Sequence, residues 1–183
     1  MAETALLIID IQNDYFPGGK MELERAAAAA ARARQALDRF RKIGKPVFHM
    51  QHLSARPGAT FFIPGTPGAE IHSLVSPAEG EPVLQKNFPN SFRGTDLQSL
   101  LDNAGVKSLA VAGMMTHMCV DASVRQAFDL GYGCTVLSDA CATRAQNFEG
   151  QDIAAPQVHG AFLAALRGVY AQVMPTEDFL KTL

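Results

Sequence analysis

The chain has 183 residues, with 16 basic against 18 acidic side chains and a formal charge of −2. Hydrophobic residues make up 48% and charged residues 19%, enough for one substantial core, and the length suits a single domain over residues 1–183. There is no basic stripe to release counterions from a phosphate backbone and no run of about 20 apolar residues to span a bilayer, so neither nucleic acid nor membrane is an expected partner.

The first apolar run, Ala5–Ile9, reads as a strand; it is too short for a signal-peptide core and is closed by Asp10. A helix is expected from Leu23 to Ile43. It contains the alanine run Ala26–Ala31, which favours helix and keeps its surface thin for close packing on a sheet. Gly44 then precedes the β-rich run Pro46–Gln51. The same phrase recurs as Gly105 before Ser108–Ala112, Gly131 before Cys134–Leu137 and Gly168 before Val169–Val173. Glycine just past a helix takes the left-handed cap conformation without a Cβ clash, and strands that return after each helix run parallel. Pro82–Gln85 adds a short strand. Thr95–Gln98 has capping-box spacing at the start of a second helix that would bury Leu97, Leu100 and Leu101. A third helix follows Thr116, a fourth covers about Ala155 to Arg167, and a short one follows Thr176. Between Leu53 and Glu81 lie Pro57, Pro64, Pro67 and Pro77 with no periodicity, and a loop of that length in a compact domain is usually functional or held by a partner. These elements predict an α/β fold, a three-layer αβα sandwich on a mainly parallel, Rossmann-like six-stranded sheet.

In such sheets ligands bind at the carboxyl ends of strands. Asp10 ends the first strand, where a carboxylate either caps the next segment or is buried with a partner. Lys86 follows the third, as a solvated surface group or as that partner. Cys119 lies at the third position of a helix capped by Thr116, where a free backbone N–H and the positive helix end favour a thiolate and an oxyanion. That setting predicts fast alkylation at mildly acidic pH; a small buried hydrophobe is the plainer alternative. Cys134 and Cys141 lack such a setting and read as inert. Three widely spaced cysteines without a CxxC pair suit a reducing cytoplasm. An acid, an ammonium and a thiol at adjacent strand ends are the ingredients of nucleophilic acyl transfer.

Leu6–Asp14 with Phe16, Lys86 with Ser91–Phe92 and Thr95–Leu97, Gly113–Val120, and Asp139–Ala142 together resemble the isochorismatase-like cysteine hydrolases over almost the whole chain. The resemblance implies an Asp10–Lys86–Cys119 triad and a homodimer or homotetramer. It also implies a cis peptide between Met114 and Met115, and an oxyanion hole made by the Met115 and Cys119 N–H groups. Family members that cleave a vinyl ether need no cysteine, so Cys119 favours a small-molecule amide or related acyl substrate, attacked without an organic cofactor. Nicotinamidases in the family bind a metal through Asp-x-His and a further His. Here His49 and His52 stand with His72 well downstream and no aspartate between, so no metal is expected near His52. Phe16, His52, Phe88, Met115 and His117 are the expected substrate contacts, with Phe61 and Phe62 as further aromatic walls, although core packing explains phenylalanines equally well. His117 is expected as a wall rather than the base, and His159 as structural. The stretch from His52 through Arg56–Thr60 is also similar to streptothricin-type lactam hydrolases. The competing class is a scaffold of the same fold with an idle or redox-sensing thiol. A nucleotide or flavin binder would want a glycine-rich phosphate loop after the first strand, which this sequence lacks.

Overall fold

A computed structural model describes residues 3–183 of the chain. Six parallel strands form the central sheet: β1 (Glu3–Ile9), β2 (Val47–His52), β3 (Val83–Lys86), β4 (Val106–Met114), β5 (Gly133–Ala142) and β8 (Gln172–Met174), in the order β3-β2-β1-β4-β5-β8. Strand β1 is buried along its apolar run and its side chains alternate between layers. Leu6 and Ile8 face helix α1 (Ala26–Lys42) and helix α5 (Thr176–Leu180), whereas Ala5, Leu7 and Ile9 face α2 (Leu97–Asn103), α3 (Asp121–Asp129) and α4 (Ala155–Val169). Helices therefore cover both faces, which is why the strands read as continuous apolar runs.

Helix α1 buries Ala26, Ala29, Ala30, Ala33, Ala36, Leu37 and Phe40, a stripe at helical spacing whose small members bring the helix close to the sheet. Truncating Phe40, which stacks on Phe179 of α5 with centroids 6.2 Å apart, would cost about 3–5 kcal/mol. Gly44, Gly105 and Gly131 end their helices at φ +68°, +67° and +90°, as the recurring phrase predicts.

The structure differs from the sequence reading in four places. Helix α4 runs through Gly168 to Val169, so the last strand is Gln172–Met174 and Gly168 is no cap. Three small residues in that helix, Gly160, Ala164 and Ala165, left its end hard to place by periodicity. Thr95 caps only one amide of α2, weakly, with Leu97 N–H donating to its hydroxyl at 3.4 Å, because that hydroxyl donates to Ser91 O at 2.6 Å. Thr116 caps nothing: residues Thr116–Val120 form one wide helical turn, and its hydroxyl joins His159 Nδ1 (2.9 Å) and Ala142 O (3.2 Å). Finally, an antiparallel hairpin, β6 (Gln146–Phe148) and β7 (Gln151–Ile153), projects between β5 and α4.

The Leu53–Glu81 segment is held against the body by two short turns, Pro67–Ala69 and Ser73–Val75, and by the bridge between Gln12 and Ile71. Asp14 ties it to the loop after β1, accepting from Phe62 N–H (2.6 Å) and Lys20 N–H (3.1 Å). A Cβ on Gly68 would sit 2.2 Å from that carboxylate, so only glycine permits the approach. Among the described residues, no helix is long and apolar enough to cross a membrane.

Candidate active site

The strand order switches between β1 and β4, with β2 and β3 added on one side of β1 and β4, β5 and β8 on the other, and the crevice beyond the carboxyl ends at such a switch point is where an open α/β sheet binds its ligand. Ile9 pairs with Met50 on one side and Gly113 on the other. A Cβ on Gly113 would lie 2.2 Å from Ile9 O, so the close approach of β4 to β1 there requires glycine. Asp10 comes next, in the left-handed region at φ +51°, a conformation that Asp tolerates better than most residues. That turn breaks the strand alternation just where the acid appears. Lys86 lies opposite His52 at the end of β3, with β2 between it and β1. Two strand spacings are about 10 Å, a span the long lysine side chain helps to bridge.

The ammonium of Lys86 reaches Asp10 Oδ2 at 2.6 Å, and both side chains are fully buried. It also meets His52 Nδ1 at 3.1 Å and Phe88 O at 3.1 Å. Ligating atoms of Asp10, His52 and Cys119 lie within 4.8 Å of one another, and Cys119 is itself 5% exposed. Beyond the Lys86 ammonium on Oδ2, Asp10 has no hydrogen-bond partner among the described residues, which leaves carboxylate lone pairs free to take a proton. Thus Asp10, Lys86 and Cys119, chosen from strand ends alone, converge.

Their electrostatics pull in opposing directions. Burial and the Asp10 charge push the Cys119 thiol well above its ordinary range, outweighing the pull of Lys86 toward thiolate. The carboxylate beside the sulfur thus opposes the thiolate that the helix turn favours, a contact that sequence position does not convey. Burial acts to lower Lys86, but the charges of Asp10 and Cys119 raise it, and it stays an ammonium. Cys134 and Cys141 are each pushed up to about 12, chiefly by burial. What sets Cys119 apart is therefore its charged neighbours.

The other expected contacts divide. His52 stands beside Lys86, lowered by burial and then by that ammonium. Met115 is buried at the start of the Cys119 turn, and the Met114–Met115 peptide is cis. His117 is half-buried, its Nδ1 paired with the Thr143 hydroxyl and its ring edge-on to Phe162. Phe16 is buried and stacked on His72 at 3.7 Å. The exposed Phe88 ring lies under the Arg93 guanidinium at 3.6 Å, and only its carbonyl serves the cluster.

The three histidines that could suggest a metal do not gather. His49 Nε2 is bound to Glu81 Oε2 at 2.8 Å in the layer interior, and His72 Nδ1 accepts from Leu74 N–H. The remaining donor set, Asp10, His52 and Cys119, has the Lys86 ammonium at its centre, bonded to two of the three. A cation held by these three groups would have to compete with that fixed positive charge.

Three further groups at the site were not among the expected contacts. Gln12 is buried and clamps the edge, donating to His52 O (2.9 Å) and Ala69 O (2.7 Å) and accepting from His52 N–H (2.8 Å). Tyr15 is buried against Phe62, and its hydroxyl is raised by burial and by the Cys119 and Asp10 charges. Arg144 is exposed, with its charge felt at both Tyr15 and His117. Tyr15 sits within the Leu6–Asp14 and Phe16 stretch, but only the fold turns it toward the thiol.

A parallel sheet covered on both faces, with a buried acid, ammonium and thiol gathered at its switch point, is an α/β fold that carries a candidate nucleophile. Comparison with known proteins agrees on the family. The Isochorismatase domain matches residues 4–178. An uncharacterized isochorismatase family protein of Bacillus subtilis, YddQ, is 54% identical over 97% of this chain and 99% of its own length. A streptothricin hydrolase of Streptomyces noursei is 42% identical over 76% of this chain, which spans about half (49%) of that relative. A crystal structure from Oleispira antarctica assigned to the isochorismatase hydrolases superposes with a TM-score of 0.95 at 47% identity, covering 98% of this chain and 97% of the other. The chain belongs to the isochorismatase family of hydrolases.

Proposed function

We propose that this protein is a cytoplasmic cysteine hydrolase that cleaves an amide-type C–N bond of a small molecule through a thioester. Asp10 takes the Cys119 proton as the sulfur attacks the carbonyl, so the thiolate exists only as the new S–C bond forms. Lys86 balances the acid before transfer and the sulfur during it. The oxyanion would be held by the Met115 and Cys119 N–H groups, each worth about 2.7–4 kcal/mol in comparable sites. The C–N bond then breaks, and Asp10 returns its proton to the departing nitrogen. Water, deprotonated by Asp10, cleaves the thioester and restores the thiol.

The observation that carries this reading is the buried Asp10–Lys86 pair at 2.6 Å beside Cys119. Removing charges from water costs several kcal/mol per ion, and an apolar pair would fill the same space more stably. The scaffold alternative draws on the burial and protonation of Cys119, but gives that ion pair no task. Amidase chemistry is also supported by the streptothricin hydrolase relative. The fully intracellular setting is supported by three unpaired thiols. A panel of small amides, lactams, ureides and carbamates, assayed for released amine with wild type and Cys119→Ala, tests it. Release by the wild type alone is expected; equal release by both, or by neither, overturns it.

A further inference from the structure

A lysine ammonium has three N–H donors and no acceptor. In Lys86 these meet Asp10 Oδ2, Phe88 O and His52 Nδ1, at 2.6, 3.1 and 3.1 Å. Every partner of that nitrogen must therefore offer a lone pair. His52 Nδ1 can do so only if it carries no proton, since an Nδ1–H would point at three like-charged hydrogens. The imidazole is then neutral, with its single proton on Nε2. That nitrogen makes no hydrogen bond to any group among the described residues, and it is not sealed from solvent.

We propose that Lys86 locks His52 as the Nε2–H tautomer, so that the ring presents one fixed donor next to the nucleophile and selects small amides with a second carbonyl oxygen near the scissile one. Three observations bear on this apart from the donor count. The His52 backbone is pinned on both sides by Gln12, whose amide accepts from its N–H (2.8 Å) and donates to its carbonyl (2.9 Å), so the ring is aimed by a rigid strand end. The ring packs against buried Phe62 at 5.9 Å, which limits rotation. One imidazole nitrogen lies within 4.8 Å of both an Asp10 oxygen and the Cys119 sulfur, so the ring borders the nucleophile. Burial and the neighbouring ammonium both hold the ring below its usual titration range. The substrate preference rests on the amide-hydrolase reading above; the tautomer does not.

The test uses the full chain with ¹⁵N-labelled histidine. Long-range ¹H–¹⁵N spectra at neutral pH should show His52 with a bare Nδ1 and a protonated Nε2. An Nδ1–H ring, an imidazolium or an equal mixture overturns the proposal. In the non-hydrolysing Cys119→Ala protein, N-acetylurea, which has a second carbonyl, should shift the Nε2–H proton downfield, whereas N-propylacetamide, which lacks one, should not. Added His52→Gln, whose amide keeps one acceptor for Lys86 and one donor, should hold N-acetylurea within about threefold of the Cys119→Ala value. His52→Leu should weaken it about tenfold or more, the usual loss for one unpaired polar contact. Equal binding of the two probes, or no difference between the Gln and Leu variants, refutes the selective donor. Because these readings need no turnover, they stand apart from failure of the hydrolase reading itself.

Discussion

Two ion clusters, one partly exposed and one fully buried, flank strand β2, three residues apart on its opposite faces, and they are built to different ends. Toward α1, Glu81 is saturated: it accepts from Arg41 at 2.7 and 2.8 Å, from His49 at 2.8 Å and from Ala78 N–H at 2.9 Å. Burial acts to raise its carboxyl, but these donors win and hold it at about 2. At the strand's carboxyl end, Asp10 has one ammonium, at 2.6 Å on Oδ2, and no other partner among the described residues. A carboxylate with all its lone pairs engaged is a poor base and a good staple. One with a single counter-ion and a thiol alongside keeps the capacity to move a proton. The number of satisfied lone pairs, together with the deeper burial of Asp10 and Lys86, separates the structural cluster from the chemical one.

The sharpest way to break this contrast is to neutralise each cluster. Lys86→Met leaves Asp10 buried and unpaired and should cost about 3–5 kcal/mol in urea unfolding. The double change Asp10→Asn with Lys86→Met should recover most of that stability while turnover stays about 10³-fold or more below wild type. Recovery of both together would make the pair structural only. The next largest effect is on the thiol. Asp10→Asn should lower the Cys119 titration, followed by thiolate absorbance, by about 1–3 pH units, and Lys86→Met should raise it; an unmoved curve in either places that group away from the sulfur.

Glu81→Gln should cost about 2 kcal/mol after allowing for solvent screening, with turnover of the folded protein kept within a few-fold. Its sign with pH follows from the depressed carboxyl. Stability from Glu81 is fully present above its unfolded value of about 4.3 and is lost as pH falls toward about 2, so wild type and variant should converge in acid and differ by a constant above about pH 5.5. A gap that widens in acid would contradict the saturated cluster. The smallest change, Gly44→Ala, is the baseline. Its Cβ meets nothing, so the penalty is the φ +68° backbone alone, about 1 kcal/mol, with activity untouched. A loss of activity there would mean that stability and chemistry are coupled across the sheet.

The contrast also marks what a sequence can convey. Asp10, Lys86 and Cys119 were legible because each follows an apolar strand, and strand ends in this architecture share one crevice. The glycine-ended helices gave the sheet away for the same reason: period and punctuation are local. Glu81, Gln12, Tyr15 and Arg144 were not legible. Their roles depend on contacts such as Glu81 with Arg41, 40 residues apart, or Gln12 with Ala69, 57 apart, which leave no periodic trace. The opposing pull on the Cys119 thiol was not legible either, since it comes from an acid more than a hundred residues earlier. The 146–153 hairpin is short, polar and largely exposed, with no apolar alternation to betray it.

The central claim, that Cys119 is acylated with Asp10 as proton acceptor, is tested most directly by intact-protein and peptide mass spectrometry after rapid quench with any amide the wild type turns over. The account predicts a mass gain equal to the acyl portion on the Cys119 peptide in wild type, and none on that time scale in Asp10→Asn. Turnover with no adduct at Cys119 under any quench time, or an adduct that forms equally fast without the acid, would contradict it.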